Sequence, residues 1–290
     1  MNAHAALAAV ALAIGCGPSF VEGTPHKIGN VMVSVASSSN TWNLTQRNSV
    51  LADQSHNWWH NFYRKREGET PKIGGAVYVP YLNNDTDVTN QTFVAEAVAE
   101  AAESRVILSL GEFDGHGISD ANAIMAWCTF VTDPSILAHP EIKLASPYTV
   151  QMPDTAGGHF VTWLAGIRSN GCREPDYLTF DRYISAADGV ADAATFIGLV
   201  KQVHAGFPKW DMIIPEWGTI GQSAATEVAM INAAVPAMDL LPYVKMHAYW
   251  FMGPTNCCSG GGSSVNALYD LTATINTVGT AYKAAGRALQ

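Results

Sequence analysis

The chain has 290 residues, a length that suits a single α/β barrel of about 250 residues. Apolar residues make up 48% and charged ones only 14%, the formal net charge is −9, and no run of Lys or Arg stands out. That balance argues against nucleic acid or an anionic membrane surface as partner. Eight Trp and ten Tyr on so weakly charged a chain suit an uncharged partner such as a sugar, although most aromatic rings serve the core.

The chain opens on an Ala-rich apolar run, Ala5 to Ile14, followed by Gly15, Cys16, Gly17, Pro18 and Ser19. The run is too short to span a membrane. It reads as the apolar region of a secretory signal, although Met1 to His4 lacks Lys and Arg. Leu12-Ala13-Ile14-Gly15-Cys16 also resembles a bacterial lipoprotein cleavage site, with Cys16 as lipid anchor. We therefore expect residues 1–19 to be a leader and residues 28–290 to form one domain. The protein is expected to be secreted, or held at the cell surface as a lipoprotein, and monomeric.

From Ile28 onward, strand-like runs alternate with helical patterns. The first run is Val31 to Val35, the second the aromatic-rich Trp58 to Tyr63, and the third Ala76 to Val79. Phe93 to Glu103 shows helical spacing, and Val106 to Leu110 is a compact buried strand. Helix Ala121 to Val131, strand Ile142 to Ala145, helix His159 to Arg168 and strand Tyr177 to Phe180 follow. Then come helix Val190 to His204, strand Met212 to Ile214, helix Ala224 to Val235, strand Val244 to Phe251 and a closing helix, Val265 to Ala285. Continuously apolar strands are buried on both faces, as in parallel sheets. Eight such runs in βα alternation predict a (β/α)8 TIM barrel. No Gly-rich fingerprint follows the first strand, which disfavours a dinucleotide fold.

Three Asn-X-Thr tripeptides, at Asn43, Asn84 and Asn90, would accept glycans in a secreted eukaryotic protein. Behind the leader stand Cys128, Cys172, Cys257 and Cys258, without zinc-site spacing. One or two disulfides fit an oxidising compartment, and the pairing stays open.

In a barrel, catalytic residues follow the carboxyl ends of strands. The fourth run hands over to Gly111-Glu112-Phe113-Asp114, and the seventh to Pro215-Glu216-Trp217-Gly218. A Glu that leaves an aliphatic strand at the barrel mouth is partly desolvated, which raises its pKa and suits it to general acid work. Two such carboxyls are what a retaining glycosidase needs, at about 5–5.5 Å from each other. One of them would protonate the leaving oxygen and the other would attack the anomeric carbon.

Around this pair the chain resembles the glycoside hydrolases of clan A, and more narrowly glycoside hydrolase family 128. The resemblance rests on Gly111-Glu112-Phe113-Asp114, Ala145-Ser146-Pro147-Tyr148, Phe160-Val161-Thr162-Trp163-Leu164 and Asp176 to Tyr183. It continues through Ile213-Ile214-Pro215-Glu216-Trp217-Gly218 and His247-Ala248-Tyr249-Trp250-Phe251, and covers roughly residues 28 to 286. It implies a barrel, with Glu112 after the fourth strand as acid/base and Glu216 after the seventh as nucleophile, and retaining cleavage of β-1,3-glucan, most simply as an endo-β-1,3-glucanase. Two positions depart from the family's pattern. Gly111 stands for the usual Asn before the acid/base, and Asp181-Arg182 for the usual His and Trp. These changes open two further readings, a non-catalytic glycan-binding barrel and another clan A specificity such as mannanase or galactanase.

Trp42, Trp58, Tyr183, Trp217, Tyr249 and Trp250 are the substrate-stacking candidates, because they lie in or after strands near the mouth. Trp58 and Trp59 are adjacent and point opposite ways in a strand, so at most one lines the site. Asp114 either orients Glu112 or caps its loop. Asp181 belongs to the sugar site and is expected to pair with Arg182. His60, His116 and His247 sit on separate elements without ligand spacing, so neither metal nor cofactor is expected.

Overall fold

The computed structural model describes residues 27–32, 42–53, 56–66, 68, 76–149, 153, 158–184, 188–219, 222–252, 267–270 and 272–288. The expected leader with Cys16, residues 33–35 of the first run, and Cys257 and Cys258 lie outside the described residues.

In chain order the elements are β1 (Ile28–Met32), α1 (Leu44–Asp53), β2 (Trp58–His60), β3 (Val77–Tyr78), β4 (Tyr81–Leu82), α2 (Asp85–Thr89) and α3 (Gln91–Glu100). Next are β5 (Val106–Ser109), α4 (Asp120–Val131), α5 (Pro134–Leu137), β6 (Lys143–Leu144), α6 (His159–Ser169), β7 (Tyr177–Thr179) and β8 (Arg182–Ile184). The chain closes with α7 (Gly189–Gly206), β9 (Asp211–Thr219), α8 (Ala224–Asp239), β10 (Val244–Met252) and α9 (Thr277–Ala288).

The result is an α/β domain on a curled sheet in which every pairing of named strands is parallel. One sheet runs β3-β2-β1-β10-β9-β7, with β8 also on β9, and a second runs β4-β5-β6. Between β3 and β4 stands Pro80, which has no N–H to donate to a ladder. Its carbonyl still accepts from Leu108 N at 3.0 Å, while Val79 N donates back to Trp59 O at 2.9 Å. Between β6 and β7 a single parallel bridge, Ala145 to Tyr177, is flanked by Ser146 N to Tyr177 O at 2.9 Å and Asp176 N to Leu144 O at 2.8 Å.

Two clusters of buried side chains explain the shape. The larger lies between strands and helices and includes Trp59, Ile107, Trp127, Trp163, Trp217 and Tyr249. The smaller takes Val31, Trp58, Val79, Tyr81, Leu108, Ile213 and Ala248 from the opposite face of the strands, the inside of the curl. Trp58 fits there because Gly29 faces it in register. A Cβ at Gly29 would fall 2.1 Å from the Trp58 ring.

The helices start where local chemistry dictates. Asn84 and Asn90 cap α2 and α3, with each Oδ1 accepting backbone N–H groups. Ser119, Asp188 and Ser223 cap α4, α7 and α8 in the same way. Cys128 and Cys172 form a disulfide with Cα atoms 5.4 Å apart, tying α4 to the turn beyond α6.

Several boundaries differ from the sequence expectations. The helix read as Val265 to Ala285 begins only at Thr277. Asp270 Oδ1 folds the preceding segment by accepting from Thr272 N and Thr274 N, and Asn276 Oδ1 caps the helix on Gly279 N at 2.9 Å. Strand β9 runs on through Pro215 and Glu216 to Thr219, because a register irregularity against β10 accommodates the proline. Elements α1, α2, α5, β4 and β8 are additions.

Candidate active site

Glu112, Asp181 and Glu216 each present a carboxylate oxygen within 4.8 Å of the others'. Asp181 and Glu216 are buried and Glu112 is part-exposed. Three strand ends bring them together: the turn after β5, the segment between β7 and β8, and the middle of β9.

The turn that carries Glu112 is strained. Leu110 and Glu112 have φ of 43° and 41°, a left-handed conformation that non-glycine residues avoid. Neighbouring strand ends hold it. Leu110 N donates to Leu82 O at 2.8 Å, Gly111 N to Asn83 O at 3.0 Å, and Tyr148 N to Leu110 O at 3.2 Å.

Glu216 is held by two phenols. Tyr148 donates to Oε1 at 3.0 Å, and Tyr183 donates to Oε2 at 2.7 Å. Tyr81 donates in turn to Tyr148 Oη at 2.5 Å. His60 Nε2 lies 3.2 Å from the carbonyl of Pro215. A carbonyl only accepts, so Nε2 carries the proton, and the ring steadies the backbone just ahead of Glu216. Burial holds His60 neutral by lowering its pKa to about 4.

Burial, reinforced by the nearby Glu112 carboxylate and opposed by the two phenols, raises the pKa of Glu216 to about 8. Burial likewise pushes Asp181 well above the usual carboxylate range, helped by its hydrogen bond with Glu112 and by the Glu216 charge. The cluster therefore keeps protons that free carboxylates would lose.

The other residues singled out in the sequence divide clearly. Trp250 packs against Phe62 and Tyr183, with ring centroids 5.7 and 6.1 Å apart. Tyr183 also bonds Glu216, so this part-exposed aromatic group borders the carboxylates. Asp114 lies two residues past Glu112 in the same turn, part-buried. Trp42, Trp58, Trp217 and Tyr249 are not brought to the carboxylates. Trp42 is buried against Tyr269 and donates to Asp270 O at 3.1 Å. Trp58 lies deep inside the curl, its Nε1 bonded to Lys27 O at 3.1 Å. Trp217 stacks on Phe196 and donates to His247 Nδ1 at 3.2 Å, on the helix side of the sheet. Tyr249 points the same way and donates to Glu227 Oε2.

The expected ion pair between Asp181 and Arg182 does not form. Neighbouring residues in an extended segment point to opposite sides, so Asp181 faces Glu112 while Arg182 Nε is buried without a hydrogen-bond partner. Tyr81 and Tyr148 are the site residues that sequence reasoning passed over. Both follow strand runs at the carboxyl end, the criterion that had selected Glu112 and Glu216.

Three carboxylates at this spacing could face one cation. In this site, however, each oxygen of Glu216 already receives a phenolic proton. The donors present serve a carboxylate that is held for its own chemistry.

No protein-family model matches the chain, and no curated protein matches it in sequence. Solved structures do. A subgroup I endo-β-1,3-glucanase of glycoside hydrolase family 128 from Amycolatopsis mediterranei, in complex with laminaritriose, superposes with a TM-score of 0.73 at 20% identity, over 89% of this chain and 99% of that one. A subgroup IV endo-β-1,3-glucanase from Lentinula edodes gives 0.67 at 20% identity, over 89% and 100%. A subgroup VI exo-β-1,3-glucanase from Aureobasidium namibiae gives 0.66 at 17%, over 90% and 97%. The chain has their fold. At such identities the likeness speaks for architecture, and the chemistry has to come from the site itself.

Proposed function

We propose that the chain is a retaining β-1,3-glucan hydrolase of glycoside hydrolase family 128, acting within its substrate. One observation carries the reading: oxygens of Glu112 and Glu216 lie within 4.8 Å of each other. So close an approach favours the about 5–5.5 Å carboxyl separation of retaining enzymes over the roughly 6.5–9.5 Å of inverting ones. The family assignment is supported by the fold, by Trp250 and Phe62 beside the carboxylates, and by the laminari-oligosaccharide bound to a glucanase of this fold.

In this reading Glu112 protonates the leaving glycosidic oxygen from its turn, and Glu216 attacks the anomeric carbon. Water, deprotonated by Glu112, then releases the glycosyl group. Tyr148 and Tyr183 aim the attacking carboxylate and stabilise its charge until the bond forms. The raised pKa of Glu216 comes from burial first and from the Glu112 charge second. Turnover requires Glu216 ionised and Glu112 protonated.

The scaffold is proposed to work as one (β/α)8 barrel, with strands β3 and β4 joined through Pro80 and the Ala145–Tyr177 bridge closing the other seam. We further infer a secreted or lipid-anchored monomer with its leader ending by residue 19. The Cys128–Cys172 disulfide supports export, since such bonds persist in oxidising compartments.

Laminarin digestion, with products sized by mass and the anomer followed by proton NMR, tests the activity. Mixed-length oligosaccharides released first as the β-anomer support an endo-acting retaining enzyme. Glucose or a single short product favours the exo mode of the Aureobasidium enzyme. Glu216→Gln should lower turnover at least ~10³-fold. Wild-type rates in that variant, or binding of laminarin without any product, would overturn the proposal.

A further inference from the structure

We propose that Tyr81 is a positioning residue for the nucleophile: its hydroxyl, seated in the space left by the missing side chain of Gly111, donates to Tyr148 and thereby commits the Tyr148 proton to Glu216. The inference rests on the reading of Glu216 as nucleophile and extends it to Tyr81 and Gly111.

The geometry at Gly111 is the starting point. A Cβ there would fall 1.4 Å from Tyr81 Oη and 2.7 Å from its Cζ. Any other residue would have to displace the phenol. The glycine is not needed for backbone freedom, because the left-handed positions in this turn are Leu110 and Glu112, on either side of it. Glycine stands where room is required, and the Tyr81 hydroxyl fills that room.

What the hydroxyl does there follows from proton counting. A phenol has one proton. Tyr148 Oη lies between two oxygens, Tyr81 Oη at 2.5 Å and Glu216 Oε1 at 3.0 Å, and can donate to only one. When Tyr81 donates to Tyr148, the Tyr148 proton is left for the carboxylate. The two bonds then polarise each other in one direction, toward the negative charge. The rings assist by lying nearly parallel, with an interplanar angle of 22° and centroids 6.0 Å apart. Both phenols are fully buried, so water does not supply the missing donor at no cost. The other groups facing Glu216 are Glu112 from the turn after β5, Asp181 and Tyr183 from the β7–β8 segment, and His60 through the Pro215 carbonyl. None of the hydrogen bonds these groups make reaches Tyr148 Oη.

The test uses Tyr81→Phe, which keeps the ring and removes only the donor, beside Gly111→Ala and the double variant. Carbon-13 NMR of carboxyl-labelled Glu, with Glu216 assigned by comparison with Glu216→Gln, reads the nucleophile directly. Tyr81→Phe should raise the midpoint of Glu216 by roughly half a pH unit. On laminarin the acid limb of kcat/KM should rise by the same amount, with kcat down about three-fold and KM unchanged. Gly111→Ala should do the same by pushing the hydroxyl aside, and the double variant should add little. An unmoved Glu216 midpoint in folded Tyr81→Phe overturns the inference, even if its melting temperature falls. A wild-type protein that cleaves no glucan refutes the functional reading alone, because the NMR titration still judges the hydroxyl chain.

Discussion

Tyr183 donates its phenolic proton to Glu216 Oε2 over 2.7 Å, from the short strand β8 that pairs with the same strand β9 on which Glu216 stands. The two residues are thus locked by ladder hydrogen bonds as well as by their side chains. A bond of this kind favours the ionised carboxylate. Removing it in Tyr183→Phe withdraws about 1.5–3 kcal/mol from the charged form. We expect the acid limb of kcat/KM to move up by about one pH unit and kcat to fall ~10-fold or more. KM should change little. A pH–rate series on laminarin checks it, and an acid limb that stays in place or moves down would mean that Tyr183 does not hold the nucleophile's charge.

Glu216 also links activity to stability. Its folded pKa of about 8 lies above the ordinary value of 4.5, with burial as the main cause. Below pH 4.5 both folded and unfolded chains keep this proton. Between 4.5 and 8 the unfolded chain releases it while the native state retains it, so native stability falls as pH rises through that window. Glu216→Gln has no such slope. It should melt close to wild type near pH 4.5 and be the more stable of the two at pH 8, by up to about 4 kcal/mol. Thermal melts at the two pH values decide this. A variant less stable than wild type at pH 8 would show that the two phenols outweigh the cost of burying the charge.

Asp181 invites a comparison of two substitutions. It is buried, shares a hydrogen bond with Glu112, and has its pKa pushed well up by burial first and by its acidic neighbours second. Burial of this kind favours the protonated carboxyl, which can donate. Asn reproduces a neutral donor of the same shape, whereas Ala leaves Glu112 without a partner. At pH 6, Asp181→Asn should stay within about three-fold of wild-type kcat/KM, and Asp181→Ala should lose ~10-fold or more. Equal losses in both variants would argue that the site needs Asp181 as an anion.

Each of the eight runs read as strands overlaps one of the ten strands among the described residues, because strands buried on both faces are continuously apolar and stand out between polar turns, whereas the short β4 and β8 were missed. The same continuity hid which face each residue takes. Trp58 and Trp59 are both fully apolar neighbours in β2, yet one enters the inner cluster and the other the outer one. A run without alternation carries no phase, so Trp217 and Tyr249 looked like mouth residues although they pack toward the helices. Glu112 and Glu216 stood out because a carboxylate after aliphatic residues breaks the pattern. Tyr81 and Tyr148 did not, since a tyrosine blends into an apolar run and its role depends on a hydroxyl two strands away. The long helix drawn from Val265 failed for a local reason, the capping side chain of Asn276, which a reading by periodicity alone ignores.

Two tryptophans separate stability from binding. The Trp58 side chain is buried in the inner cluster, and its ring lies against Gly29, where no Cβ would fit. Trp58→Ala should therefore cost about 3–5 kcal/mol of stability, lowering the melting temperature while KM on laminarin holds at temperatures where the variant is folded. Trp250 is part-exposed beside Phe62 and Tyr183, at the border of the carboxylates. Trp250→Ala should instead raise KM ~10-fold, in line with the loss of one well-used aromatic contact, and shift the melting temperature by less than Trp58→Ala does. Measuring both quantities on both variants makes the assignment testable in either direction. If Trp58→Ala raised KM at unchanged stability, the inner cluster would have to open to the sugar, and the carboxylates alone would no longer mark where the sugar lies.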